Sequence, residues 1–192
     1  MTRLHLVRHG PTHARGMVGW SDLPADLSDR AALARLHAHL PENALVVSSD
    51  LVRASATADA IQGPRLRLPH QPDLREIRFG AWEMRTYREV EAEDPGLARA
   101  YWETPGNASP PGGESWNQTR ARVDTAIDGL VAAHAGADLV IVAHFGVILT
   151  QIQRALGLDA TSAFGHRIDN LSVTEITLNA NTWQVGRINH LP

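Results

Sequence analysis

Three short apolar runs, Leu4 to Val7, Ala44 to Val47 and Leu139 to Ala143, interrupt a chain whose other apolar positions recur mainly at helical spacing. Each is rich in Val, Ile and Leu and too short for a helix of its own, which predicts strands buried on both faces, as in a parallel sheet. Leu33, Leu36 and Leu40 predict a helix over Ala31 to Leu40, and Trp116, Val123, Ile127, Leu130 and Val131 predict another over Ser115 to Ala135. Ser115 and Gln118 have the spacing of a reciprocal cap, in which each side chain satisfies a backbone donor of the opening turn. Val147 to Leu156 reads as a further helix stopped near Gly157. Ser172 to Leu178 and Trp183 to Ile188 read as a closing hairpin around Asn179 to Thr182. This alternation predicts a three-layer α/β/α sandwich with a mostly parallel central sheet.

Residues Pro69 to Gly113 break the rhythm. They hold six of the eleven prolines and an acidic, aromatic mixture around Tyr87 to Trp102, and they predict an inserted lid or substrate-side region within one domain spanning residues 1–192. A chain of 192 residues with 43% hydrophobic content can bury a sizeable core. Its formal charge of -3 supplies no general attraction to nucleic acid or to an anionic membrane, so any anion site must be a local gathering of cations. Without cysteine there is no disulfide, thiolate nucleophile or zinc–thiolate site, which suits a cytoplasmic protein. The amino terminus passes straight into a strand-like run, unlike a secretion signal, and no stretch has the roughly 18 apolar residues of a spanning helix. Oligomeric state is not legible here.

In an open α/β sheet, ligands bind beyond the carboxyl ends of the strands, where loops diverge and helix amino termini present free donors. The first strand ends in Arg8-His9-Gly10, the second in Ser48-Ser49-Asp50 followed by Arg53, and the third in His144-Phe145-Gly146. Two arginines and two histidines from distant parts of the chain therefore meet at one sheet edge. Arg53 falls in the first turn of a helix, where the macrodipole disfavours a cation, and Arg8 adjoins an apolar strand where an unpaired guanidinium is costly. A phosphate between them resolves both, because guanidinium donors match its oxygens. Neutral imidazole can attack phosphorus near pH 7; His9, beside Arg8, is the expected nucleophile and His144 a protonated ring that balances the charge on the equatorial oxygens, although chemistry alone leaves the reverse open. The leaving oxygen needs a proton, and Glu76, near the start of the inserted region, is the leading acid.

His37 and His39 lie two apart on a helix and do not share a face, which argues against a metal site and for exposed side chains. His13 and Arg15 are near enough to His9 to line its pocket. The five tryptophans read as packing residues because no basic stripe accompanies them.

These motifs resemble the histidine phosphatase superfamily, in the branch similar to phosphoglycerate mutase and α-ribazole phosphatase. Leu6-Val7-Arg8-His9-Gly10-Pro11-Thr12 is similar to the family's Arg-His-Gly-x-Thr signature, and Ser48 to Ala58 to the segment holding a phosphate-binding arginine, here Arg53. Glu76 with Phe79-Gly80-Ala81-Trp82-Glu83 is similar to the acid-bearing segment, Gly112-Gly113-Glu114-Ser115 to the stretch before the long helix, and Val142-Ala143-His144 to the second histidine position. The resemblance implies a phosphoglycerate mutase-like fold and a metal-independent, cofactor-free phosphatase. His9 would carry the phosphoryl group, Glu76 would act as acid and then base, and Arg8, Arg53, His144, Thr12 and Arg15 would hold the phosphate of a small metabolite. Two departures stand out: Arg15 replaces an asparagine, and Phe145 replaces the glycine that frequently follows the second histidine. A mutase, or a phospholigand-binding module without turnover, is the alternative; the chain length, Arg15 and the lack of an extended tail after Pro192 argue against the mutase. The substrate stays open among α-ribazole 5′-phosphate, a sugar phosphate, a nucleotide and other monoesters.

Overall fold

The computed structural model describes residues 1–180 and 182–192. Six strands form one sheet: β1 (Thr2–Arg8), β2 (Leu45–Ser48), β3 (Leu66–Arg67), β4 (Asp138–Ala143), β5 (Val173–Asn179) and β6 (Thr182–Val185). Their order is β3-β2-β4-β1-β5-β6. The four strands from β3 to β1 run parallel, while β5 and β6 close the edge antiparallel. The mostly parallel expectation therefore holds, with the hairpin as its exception. Asn181, within the turn expected for that hairpin, lies outside the described residues.

Strand alternation divides the core in two. Val7, Val46, Val140 and Val142 face helices α1 (Arg30–His39) and α2 (Val52–Gln62) with Leu33, Leu36 and Ile61. Leu4, Leu6, Val47, Leu139 and Ile141 face the other way, against Val123 and Ile127 of the long helix and Ile148 and Ile152 of the one after β4. Those two residue sets are buried, so helices cover both faces at the centre of the sheet.

Between β3 and the long helix come two short 3-10 turns and helices α3 (Tyr87–Glu93) and α4 (Pro95–Glu103), within the 69–113 region. This region is tied to the loop after β1 by backbone bonds from Met17 N to Arg85 O and from Met84 N to Met17 O, both 2.8 Å. Helix α5 (Trp116–Ala133) opens on the capping box read from Ser115 and Gln118, with both reciprocal bonds formed. Helix α6 (Phe145–Leu156) ends at Gly157, whose φ of 65° is the left-handed conformation that glycine adopts without a Cβ penalty. A short α7 (Ala160–Phe164) precedes β5. Among the described residues no helix is long and apolar enough to cross a membrane.

Candidate active site

The parallel register brings the carboxyl ends of β1, β2 and β4 side by side, with Arg8 opposite Ala143 and Ser48 opposite Val142. A cavity of about 220 Å³ opens there, lined by Arg8, His9, Thr12, Arg53, Glu76 and Phe145 among others.

His9 Nδ1 donates to the Gly10 carbonyl at 2.6 Å, and Nε2 accepts the Nε–H of Arg53 at 3.3 Å. The proton is thereby held on Nδ1 and the lone pair on Nε2. Burial, then the charges of Arg53 and Arg8, press the pKa of His9 down to about 3, so the ring is neutral near pH 7. The peptide unit joining His9 to Gly10 is fixed at both ends: its carbonyl accepts from Asn170 Nδ2 at 2.7 Å, and its N–H donates to Thr57 Oγ1 at 3.0 Å.

Arg53, 1% exposed, sits in the first turn of α2 and donates to carbonyl oxygens of the loop after β1: Ser21 at 2.9 Å and Gly19 at 2.6 Å. Arg8 donates to Ile168 O at 2.6 Å, and its guanidinium stands 5.5 Å from the ring centroid of Phe145. The Nε of Arg8 and the Nδ1 of His144 are buried without a hydrogen-bond partner among the described residues. His144 is fully buried, its ring 5.0 Å from that of His9 and its Nε2 2.7 Å from Ser49 Oγ. Burial and the neighbouring His9 hold its pKa well below the ordinary range, so the ring is neutral and not the protonated one expected from the sequence.

Glu76 comes from the 69–113 region and is buried against the amino terminus of α6. Its carboxylate accepts from Ile77 N at 2.9 Å and from Gly146 N at 3.0 and 3.2 Å. Burial raises its pKa; the two backbone donors and the charges of Arg53 and Arg8 oppose that rise. A carboxyl group protonated further up the pH scale beside a neutral imidazole is a pairing suited to acid–base work. Phe145 lines the cavity, while the backbone donor beside it, on Gly146, is taken by Glu76.

Several expectations fail outside the cavity. Arg15 is exposed and does not line the cavity, although its neighbours Ala14 and Gly16 do. His13 is exposed too and pairs with Asp26 at 2.8 Å. His37 and His39 are half-buried instead of exposed: His37 Nδ1 is 2.8 Å from Ile61 O, and His39 Nε2 3.6 Å from Glu175. Trp20 is not simply a packing residue. The guanidinium carbons of Arg75 and Arg78 lie 4.8 and 5.2 Å from its ring centroid, and its indole N–H donates to Glu76 O at 2.8 Å. Ser49, Thr57 and Asn170 carry no spacing signal in the sequence, being single polar residues at a strand end, within helix α2 and in a loop.

Residues 4–191 match the family described as the histidine phosphatase superfamily, branch 1. The chain belongs to the histidine phosphatase superfamily. It is 32% identical over 184 residues to the adenosylcobalamin/alpha-ribazole phosphatase of Escherichia coli strain K12, covering 92% of this chain and 90% of that one. It is 38% identical over 176 residues to the glucosyl-3-phosphoglycerate phosphatase of Mycolicibacterium vanbaalenii, covering 81% and 75%. Among solved structures, YhfR of Bacillus stearothermophilus superposes with a TM-score of 0.91 at 29% identity, covering 100% of this chain and 98% of that one. The α/β fold implied by the resemblance is thus the fold observed, and the chain is a histidine phosphatase, similar to enzymes named as phosphatases.

Proposed function

We propose that the chain hydrolyses a small phosphomonoester by two in-line displacements at one phosphorus, with His9 carrying the phosphoryl group between them. One observation bears most of the weight: His9 is held in a single tautomer, with Nδ1–H on Gly10 O and the lone pair of Nε2 facing Arg53 in the cavity. A bound phosphate oxygen takes over the Arg53 Nε–H, which frees Nε2 to attack. The N–P bond forms as the P–O bond to the alcohol breaks, and protonated Glu76 transfers its proton to the departing oxygen. Water then attacks phosphorus, gives its proton to the Glu76 carboxylate and displaces His9, releasing inorganic phosphate.

Arg8 and Arg53 neutralise the equatorial oxygens and the neutral ring of His144 donates to them, with the unpartnered Nε of Arg8 and Nδ1 of His144 as free donors. Thr12 is a further phosphate contact from the cavity wall. Residues 69–113 form the substrate-side wall of a single domain spanning 1–192, contributing Glu76 and Phe79 to the cavity. The substrate class follows that of the named relatives, phosphorylated small metabolites, with an α-ribazole phosphate or a sugar-acid phosphate as the first to try.

The test is hydrolysis of an aryl phosphate by chelator-treated protein, compared with His9→Ala. Chelator-resistant turnover that disappears in the variant is expected. Turnover that survives in His9→Ala, or no wild-type turnover on a panel of monoesters, contradicts the proposal and favours a mutase or a binding module.

A further inference from the structure

Glu83 does not line the cavity, yet its carboxylate accepts five hydrogen bonds from the structure around it. Oε1 takes the N–H of Trp20 at 2.7 Å and of Phe79 at 3.2 Å. Oε2 takes the N–H of Gly19 at 3.0 Å, the N–H of Ser21 at 3.3 Å and the Ser21 hydroxyl at 2.8 Å. Three successive backbone donors thus converge on one internal anion, the geometry of a backbone nest. Gly19 is required for this approach: a Cβ there would stand 2.5 Å from Glu83 Oε1 and closer still to Ile77 O.

The carbonyls of the same loop point the other way, to Arg53. Its two terminal nitrogens donate to Gly19 O at 2.6 Å, Val18 O at 3.5 Å and Ser21 O at 2.9 Å. The peptide unit joining Gly19 to Trp20 therefore gives its C=O to Arg53 and its N–H to Glu83. The unit joining Val18 to Gly19 does the same. Two peptide dipoles lie between the guanidinium and the carboxylate, each oriented so that both charges favour it, and such chains polarise cooperatively. At the far side of the guanidinium, Arg53 Nε reaches His9 Nε2.

We infer that Glu83 is a positioning residue: acting through these two peptide units, it sets the guanidinium of Arg53 where the phosphate must bind beside His9. The inference rests on the proposed function only in taking Arg53 as a phosphate ligand. It gives the second carboxylate of the 76–83 segment a role distinct from that of Glu76, since Glu83 touches neither the cavity nor the reacting atoms.

The experiment is a double-mutant cycle on the full chain: wild type, Glu83→Gln, Arg53→Lys and the double variant. Binding of inorganic phosphate is measured by titration calorimetry, and kcat and KM on p-nitrophenyl phosphate are measured alongside. Lysine keeps a charge but lacks the fork that spans the loop carbonyls. Glu83→Gln is expected to weaken phosphate binding and kcat/KM about 10-fold in the wild-type background and less than about twofold in the Arg53→Lys background. The same loss in both backgrounds, or a lower melting temperature with phosphate binding unchanged, overturns the inference and leaves Glu83 a purely structural residue. If Glu83→Gln does not fold, Glu83→Asp carries the same cycle, with a smaller loss that must likewise vanish beside Arg53→Lys. A wild type that binds phosphate without turnover defeats the proposed function while the binding cycle still decides Glu83; a wild type that binds no phosphate defeats both.

Discussion

Gly146→Ala tests the general acid without touching its carboxyl group. A Cβ at position 146 would stand 2.5 Å from Glu76 Oε1 and 2.9 Å from two side-chain carbons of Ile77, where ordinary contacts begin at 3.4 Å. Glu76 must therefore retreat by roughly 0.9 Å or lose its bonds to the Gly146 N–H, and a misplacement of that size costs on the order of 100-fold in rate. The loss should depend on the leaving group. An alkyl phosphate cannot expel its alkoxide without a proton, so kcat/KM should fall about 100-fold, the lower end for removal of a general acid. p-Nitrophenolate leaves unprotonated, and its phosphate should lose no more than about 5-fold, a residue of the general disturbance. Overpacking should also cost about 1–3 kcal/mol of stability, so the assays belong at 25 °C beside a thermal melt. Equal losses on both substrates, or no loss on the alkyl phosphate, would refute the reasoning.

Other consequences reach beyond the acid. His9 has its pKa depressed from 6.5 to about 3, so the stability it contributes is present above pH 6.5 and is lost as the pH falls toward 3, where the unfolded chain binds a proton that the folded chain refuses. His9→Gln should remove roughly 3 kcal/mol of that acid destabilisation at pH 4.5 relative to pH 7.5; denaturant titrations at the two pH values check this, and an unchanged pH dependence counts against a buried neutral ring. Arg65 is 4% exposed and donates to the carbonyls of His37, Leu40, Pro41 and Ile61, joining the ends of α1 and α2. Arg65→Ala strands those acceptors and should cost about 2–4 kcal/mol in unfolding free energy with KM unchanged; a shifted KM would mean that the helix ends reach the site. Arg15→Ala should leave kcat/KM within about twofold, because the side chain is exposed outside the cavity; a larger loss would return Arg15 to the phosphate contacts.

The parts of this molecule that were legible in advance are those where one physical demand dominates a short stretch. Leu139 to Ala143 had to be a doubly buried strand because no polar residue interrupts it, and the cap at Ser115 is a local bond pattern that needs no tertiary context. Strand β3 escaped notice because two residues, one of them the exposed Leu66, leave no alternation to read. Arg8, His9 and Arg53 were expected together because they end or follow apolar runs, and the cavity does bring them together. Nearness along the chain does not place Arg15, since Ala14 and Gly16 line the cavity while the side chain between them is exposed. His37 was misjudged because Arg65, from beyond the end of α2, brings a nitrogen to 3.0 Å from its ring. Glu83 is marked in the sequence only by the motif around Glu76; its partners are not, since most of them are backbone N–H groups, which every residue but proline carries.

The central claim is that His9 carries the phosphoryl group. Rapid quenching of the enzyme with phosphorus-labelled aryl phosphate into alkali, which preserves phosphohistidine, followed by peptide mapping, tests it directly. Label on the peptide containing His9, absent from His9→Ala and accumulating to a greater extent in Glu76→Gln with an aryl substrate whose leaving group needs no acid, is the expected result. Label on His144, or turnover with none on either histidine, would contradict it.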